Sequence, residues 1–259
     1  MKQYIRNFKK YRFLLYELVK KGIKLKYRRS YLGILWTLLE PLLTMAVLTM
    51  VFGAWYGRGD NTFPVYVLSG RLLYAYFSNS TKVAMKSIQS NSKMIKKVYV
   101  PKYIYPLSAI IYNYIIFLIS LIVLVGVGAV LKVKPTIYMF QAIIPLTLLF
   151  VMTLGVGLIL ATMSVFFKDL EYLWGVALML IMYASAIFYQ VDKVIKNGYG
   201  FLFKINPLYM IITNFRECVL FGQPLSMEHL IPAAIFSFGS LIVGVLVFFK
   251  KQDDFILHI

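Results

Sequence analysis

The sequence is poor in side chains that carry chemistry. One cysteine, Cys218, rules out an intrachain disulfide and a cysteine metal cluster. There are two histidines, one of them His258 beside the C-terminus, and no grouping of His, Asp and Glu has metal-ligand spacing. No GxxxxGK[ST] stretch occurs, which excludes ATP hydrolysis through a phosphate loop in this chain. Charged residues make up 15% of the chain, against about 25% in an ordinary soluble domain. The first thirty residues hold basic side chains throughout, with no apolar core and no small-residue cleavage site, so they do not read as a secretion signal.

What fills the sequence is apolar. Hydrophobic residues are 60% of the 259 and aromatics 17%. They collect in runs long enough to cross a hydrocarbon core of roughly 30 Å. This predicts an all-α integral membrane protein with six transmembrane helices near Leu32–Tyr56, Phe63–Val83, Tyr103–Leu131, Tyr138–Phe167, Tyr172–Tyr189 and Leu230–Phe249. The third and fourth runs exceed a simple crossing and predict tilt or extension beyond the bilayer.

A net charge of +18 would suggest nucleic acid in a soluble protein. In a membrane protein it is better read as topology, with no nucleic-acid partner. Of the 28 Lys and Arg, eleven precede Leu32, six lie from Lys82 to Lys102, one is Lys168 and two are Lys250 and Lys251. Six lie in the alternate loops, and Arg71 and Arg216 fall within apolar segments. The positive-inside rule then places both termini and the loop 84–102 in the cytoplasm.

Residues 191–229 fall on the outer side of this topology. Their apolar core, within INPLYMIITNFRECVLFG, is broken by Asn214, Arg216 and Glu217 and is short for a crossing. An extracytoplasmic re-entrant helical segment fits; a seventh span would put the C-terminus outside, against the Lys250–Lys251 pair. Residues 1–31 are different again. Tyr11, Leu14, Leu15, Leu18, Gly22 and Leu25 recur at helical spacing, with Lys10, Glu17, Lys20, Lys21, Lys24 and Arg28 opposite. That pattern predicts an amphipathic interfacial helix, either a passive anchor or a working element.

Ionisable groups inside spans face a bundle interior or a wet cavity. Glu40 and Arg71 lie in consecutive spans, where pairing would lower the cost of both. Pro41 removes a backbone donor and predicts a kink. Most aromatic residues suit interface belts or core packing. Trp36, Tyr74, Tyr76, Phe77, Phe188 and Tyr189 lie where spans could line a shared conduit, and aromatic faces stack on sugar rings. The short apolar-flanked element FFKDLEY, with Lys168, Asp169 and Glu171, is either a catalytic pair or a loop that meets a partner.

Two stretches carry a family resemblance: RRSYLGILWTLLEPLL from Arg28 and NSKMIKKVYVPKYIYPL from Asn91. Together with FFKDLEY, Asn206-Pro207 and Arg216, they resemble the membrane subunit of ABC-2 type exporters over nearly the whole chain. Within that group the chain is most similar to permeases of polysaccharides, O antigens and teichoic acids. Lys168 stands where the family commonly has Arg. The resemblance implies a homodimeric permease in a bacterial cytoplasmic membrane that passes a lipid-linked glycan outward. Two copies of a separate ATP-binding subunit would hold the ATP and Mg, leaving this chain with no catalytic residues, metal or cofactor.

It also implies roles. Asn91, Met94, Ile95, Lys96, Lys97, Val98, Tyr99 and Pro101 would form the ATPase-coupling loop, with Met94, Ile95, Val98 and Tyr99 as its apolar face. Lys168 and Asp169 would be a second contact. Tyr11, Leu14, Leu18, Leu25 and Arg28 would belong to a gate helix. Trp36, Glu40, Arg71, Tyr74, Phe77, Phe188 and Tyr189 would line the substrate path, and Asn206, Pro207 and Arg216 would shape the re-entrant segment. The domains would be 1–31, a transmembrane domain of 32–250 and a tail of 251–259. An ABC-2 exporter of drugs or lipids is the alternative, and a membrane enzyme acting on lipid-linked sugars a more distant one.

Overall fold

The computed structural model describes residues 2–28, 30–56, 62–98, 100–189, 191 and 200–258, with backbone alone at 2–9 and 54–56. The described residues are helical and contain no strand. In chain order the helices are α1 (Lys2–Tyr27), α2 (Trp36–Tyr56), α3 (Phe63–Ser90), α4 (Ser92–Lys97) and α5 (Ile104–Val130). They continue as α6 (Ile143–Phe166), α7 (Leu170–Tyr183), α8 (Phe201–Ile205), α9 (Pro207–Val219), α10 (Met227–Lys251) and α11 (Phe255–His258).

Four helical stretches are long and apolar enough to cross a membrane: Gly33–Gly53, Ile104–Val130, Ile137–Phe166 and Met227–His258. Helix α3 is equally long but carries Arg71, Lys82 and Lys86. Its place explains how it tolerates them. It packs against α2, α5, α6, α7 and α9, so most of its surface meets protein. Its 28 residues run about 42 Å at 1.5 Å per residue. That overshoots a hydrocarbon core of roughly 30 Å and carries the Lys82–Ser90 end beyond it.

The predicted fifth span, Tyr172–Tyr189, is shorter in the structure. Helix α7 ends at Tyr183 after 14 residues, about 21 Å. The chain then turns through Ser185, Ala186 and Ile187, and Ala186 adopts a left-handed φ of 46°. The Ser185 hydroxyl donates back to the Ile181 carbonyl at 2.6 Å and closes the last helical turn. Apolar runs mark burial, and this turn is fully buried, so hydropathy alone extends the helix through it.

Pro41 lies inside α2, and the helix continues through it. A proline cannot donate to the carbonyl four residues earlier, here Thr37. The Ser120 hydroxyl of α5 supplies the missing bond, donating to the Thr37 carbonyl at 3.1 Å. A helix break that would orphan a carbonyl therefore becomes an α2–α5 contact.

The segments that the charge count groups on one side meet at one end of the bundle. An apolar cluster there joins Tyr11, Leu14, Leu15 and Leu18 of α1, Ile88 of α3, Ile95 of α4, Val165 of α6, Phe248 of α10 and Phe255 of α11. This is called the basic end below. The turn at 185–187, α8 and α9 form the far end.

Helices α6 and α10 form the most extensive pair. A Cβ at Gly155 would overlap the backbone at Ser240–Leu241, and one at Gly244 would overlap the Gly155 carbonyl. Glycine is required at both because the two backbones touch. We predict that Gly155→Ala or Gly244→Ala lowers stability by about 1–3 kcal/mol through overpacking. Gly239→Ala, which meets nothing within 4 Å, is the matched control. Thermal unfolding of the detergent-purified protein separates them.

Candidate functional site

The projection between α3 and α5 starts where α3 stops. The Asn91 side chain donates from Nδ2 to the Ser87 carbonyl at 2.8 Å, capping the end of α3 with a polar side chain. Helix α4 then runs for six residues and yields to extended backbone at Val98 (φ −135°, ψ 132°). Pro101 and Pro106 lie in the return, and Pro106 occupies the first turn of α5, where its missing donor costs nothing.

The burial pattern of α4 corrects the expected docking face. Ile95 is 7% exposed and belongs to the basic-end cluster. It anchors the projection and presents nothing outward. Met94 is half-buried against the same cluster. The outward surface consists of Lys93, Lys96, Lys97 and Val98. Tyr99 lies outside the described residues.

Lys168 and Asp169 lie exposed in the short turn between α6 and α7. The turn is tied to the α3 end on both flanks. Ser164 donates to the Met85 carbonyl at 2.6 Å, and the Gln89 amide donates to the Ser164 carbonyl at 2.8 Å. The Lys86 ammonium pairs with the Glu171 carboxylate, both about half exposed. An exposed pair of this kind contributes about 0.2–1 kcal/mol, so the buried serine bond is the firmer tie.

Helix α1 lies along α5. At Gly22 a Cβ would overlap the Tyr112 ring, so the contact depends on glycine. Tyr11, Leu14 and Leu18 pack against the basic-end cluster, and Arg28 is exposed. Leu25 departs from the pattern at 53% exposed, alongside Phe13 and Tyr16. The helix presents apolar side chains away from the bundle as well as toward it, among exposed lysines, which suits a headgroup layer.

Between α1, α2, α3 and α5 a cleft of about 730 Å³ opens beside Lys21, Lys26, Glu40, Asn79, Tyr112 and Asn113. It leads to a smaller chamber of about 80 Å³ lined by Glu40, Arg71, Tyr76 and Ser120. Glu40 and Arg71 thus line the same chamber, yet no ion pair joins them. The Arg71 guanidinium lies 5.9 Å from the Tyr74 ring centroid. Glu40 acts electrostatically on Lys26, whose pKa is lowered by burial and partly restored by that carboxylate.

The aromatics assigned to a conduit divide in two. Tyr74, Phe77 and Phe188 are buried, and Phe77 also lines a cavity of about 720 Å³ with Trp174 and Tyr189. Tyr74 donates to the Leu178 carbonyl at 2.9 Å, Phe77 meets Trp174 edge-on at 6.2 Å, and Phe188 stacks on Phe52 at 5.6 Å. Trp36 is exposed, and Tyr189 is half-buried, with its hydroxyl donating to the Tyr183 carbonyl.

At the far end Asn206, Pro207 and Arg216 converge on one turn. Asn206 caps α9 by accepting from Leu208 N at 3.0 Å, and Pro207 takes the first helical position. The Asn206 amide also donates to the Ser185 hydroxyl at 2.9 Å. Arg216, 3% exposed, donates to the carbonyls of Ala186 at 3.0 Å, Tyr66 at 2.9 Å and Ile187 at 3.4 Å. Its guanidinium stacks 3.4 Å from the Tyr66 ring centroid, and the Tyr66 hydroxyl donates to the Ala186 and Tyr189 carbonyls at 3.1 Å each. A Cβ at Gly70 would overlap the guanidinium, so Gly70 makes its berth. Tyr66, Ser69, Gly70 and Ser185 are absent from the sequence-based site. The nearest signal is the small pair Ser69-Gly70, which is one of several stretches of small residues in α3 beside residues 78–81.

Residues 14–220 match the family described as ABC-2 type transporter. The O-antigen export system permease protein RfbA of Myxococcus xanthus is 27% identical over 254 residues, covering 97% of each chain. A Klebsiella pneumoniae protein of the same description is 28% identical over 247 residues, covering 93% of each. The polysialic acid transport protein KpsM of Escherichia coli is 24% identical over 241 residues, covering 89% of this chain and 90% of its own.

The network around the turn orders three substitutions. Arg216→Met strips a donor from three buried carbonyls, of which Ala186 keeps the Tyr66 hydroxyl and Tyr66 keeps the Ser69 hydroxyl, and it is predicted to be the most damaging, at about 1–3 kcal/mol or more. Arg216→Lys keeps the charge but not the planar fork and falls between. Tyr66→Phe costs about 0.5–1.5 kcal/mol. Thermal unfolding in detergent gives the order, and equal midpoints for Arg216→Met and wild type would contradict it.

Proposed function

The chain belongs to the ABC-2 type transporter family, and from that membership we propose that it is the membrane permease of an ATP-driven exporter of a lipid-linked polysaccharide. The observation that carries this is similarity along almost the entire length to permeases named for O-antigen export, with polysialic acid transport proteins behind them. The cargo class comes from those relatives, and O antigen, capsular or cell-wall glycan and teichoic acid are its candidate members.

On this reading the protein sits in a bacterial cytoplasmic membrane with its basic end in the cytoplasm, which accords with the Lys and Arg count. Two copies form the membrane unit, each with six spans, and each copy meets one ATP-binding subunit. Helix α4 is the main contact. Lys93, Lys96, Lys97 and Val98 form its reachable surface, and Lys168 and Asp169 form the second contact. ATP and Mg are held by the partner. Helix α1 gates the inner mouth, with the cleft at Glu40 and Arg71 behind it. Helices α8 and α9 form a re-entrant hairpin outside, the apolar core of α9 being broken by Asn214, Arg216 and Glu217.

Mild-detergent purification from the native membrane, with mass spectrometry of co-purified proteins and glycolipids, tests the assignment. A near-stoichiometric ATP-binding cassette protein and a bound glycolipid are expected. Monodisperse permease free of any such ATPase across several detergents overturns the two-component reading. Within it, Lys96→Glu with Lys97→Glu, or Val98→Asp, is expected to abolish ATPase recovery while insertion stays normal. Undiminished recovery would move the contact away from α4.

A further inference from the structure

From sequence the last nine residues read as a plain tail. The structure gives them a seat in the core. After α10 the chain makes a short turn at Gln252–Asp254 and enters α11. Phe255 has no exposed surface. Its ring meets Phe248 edge-on at 5.3 Å and Phe166 at 6.0 Å. The tail is held from outside the cluster too. The Lys102 ammonium donates to the Gln252 carbonyl and lies 5.9 Å from the Phe255 ring centroid. The His258 ring lies 4.9 Å from Phe166, and Lys251 and Asp254 are paired at 3.7 Å.

These contacts matter because of their neighbours. Helix α4 has six residues, too few to hold a shape alone, so its orientation is set by what it stands on. Its buried residue, Ile95, shares one cluster with Phe255, Ile88, Val100, Ile104, Val165 and Phe248. Lys102 sits where the projection returns toward α5. The tail therefore grips the return limb by a hydrogen bond and adds an aromatic ring to the cluster in which Ile95 of α4 is buried. The same cluster carries the half-buried residues of α1.

We propose that the C-terminal tail is the seat of α4, with Phe255 and Lys102 as positioning residues that hold the projection rigid against the bundle. Force applied to α4 then reaches α3, α6 and α1 instead of being absorbed by a loose loop. This rests on α4 being the ATPase contact, and it adds a part that touches neither ATPase nor cargo.

The test uses the full chain, alone and with its co-purified ATPase. Spin labels at Lys96→Cys and Lys168→Cys, with buried Cys218→Ser as background, report the α4 position as a distance distribution. It is expected to be narrow in the unmodified background, broad in Phe255→Ala and in Lys102→Met, and narrow again in Phe255→Leu. In the assembled complex, Phe255→Ala is expected to retain ATPase binding while cargo exported per ATP hydrolysed falls roughly 2- to 30-fold, the range for losing coupling along a packed path. Phe255→Leu restores that ratio. A general folding defect would lower binding, hydrolysis and export together and would not change the ratio. Unchanged distributions in Phe255→Ala and Lys102→Met overturn the seat. The distance measurement needs no ATPase, so failure of the exporter assignment would leave that result standing by itself.

Discussion

A carbonyl that leaves a helix inside a bilayer has no water to bond, and the protein must supply the donor. This constraint organises the far end. Helix α7 stops about 21 Å from its start, and the turn that follows carries the carbonyls of Ala186 and Ile187 into a dry interior. Arg216 answers them from α9, Tyr66 answers Ala186 again from α3, and Asn206 binds Ser185 beside them. Each donor comes from a different element or a different end of one. The short α7 and the buried α9 are thus one solution to one problem. The left-handed Ala186 persists because its carbonyl is held from two sides.

The same logic explains what could be read in advance. Apolar runs located the long helices well, and the Lys and Arg count grouped α1, the α4 projection, the 167–169 turn and the tail, which the fold brings to one end. Asn206 and Pro207 stood out through the family resemblance, and Arg216 both through it and as a charge that breaks an apolar core. Their common target was hidden, because Ser185, Ala186 and Ile187 resemble any helix interior. Ile95 was misread for the reverse reason. On a six-residue helix there is no periodicity from which to tell the anchored side from the free one. Tyr74, Phe77 and Phe188 show a third limit: an aromatic in a span has the same sequence whether it lines a passage or fills the core.

Helix α3 shows why polarity and depth need separate treatment. It is not among the four helices apolar enough to cross a membrane by composition, yet α2, α5, α6, α7 and α9 bury it along most of its length. Its polar residues divide by face. Ser69 and Gly70 serve Arg216 at the far end, Arg71 and Asn79 open on the cleft, and Lys86 reaches Glu171 near the basic end. A helix surrounded by lipid could not carry such residues on every side. A helix surrounded by protein can use each face for a different task.

The two ends are therefore built from different forces, and they respond differently to load. The far end is held by charge-assisted hydrogen bonds from a rigid guanidinium fork, which are short-ranged and directional and are lost over a small displacement. The basic end is held mainly by apolar contact among Ile95, Phe248, Phe255 and the α1 leucines, which depends on area and hardly on direction. Close-packed side chains in such a cluster pass a displacement on to their neighbours. If α4 is the ATPase contact, as proposed, a displacement there is passed through the shared cluster to α1, α3 and α6 together, whereas the far end is locked by directed bonds from one guanidinium to several carbonyls.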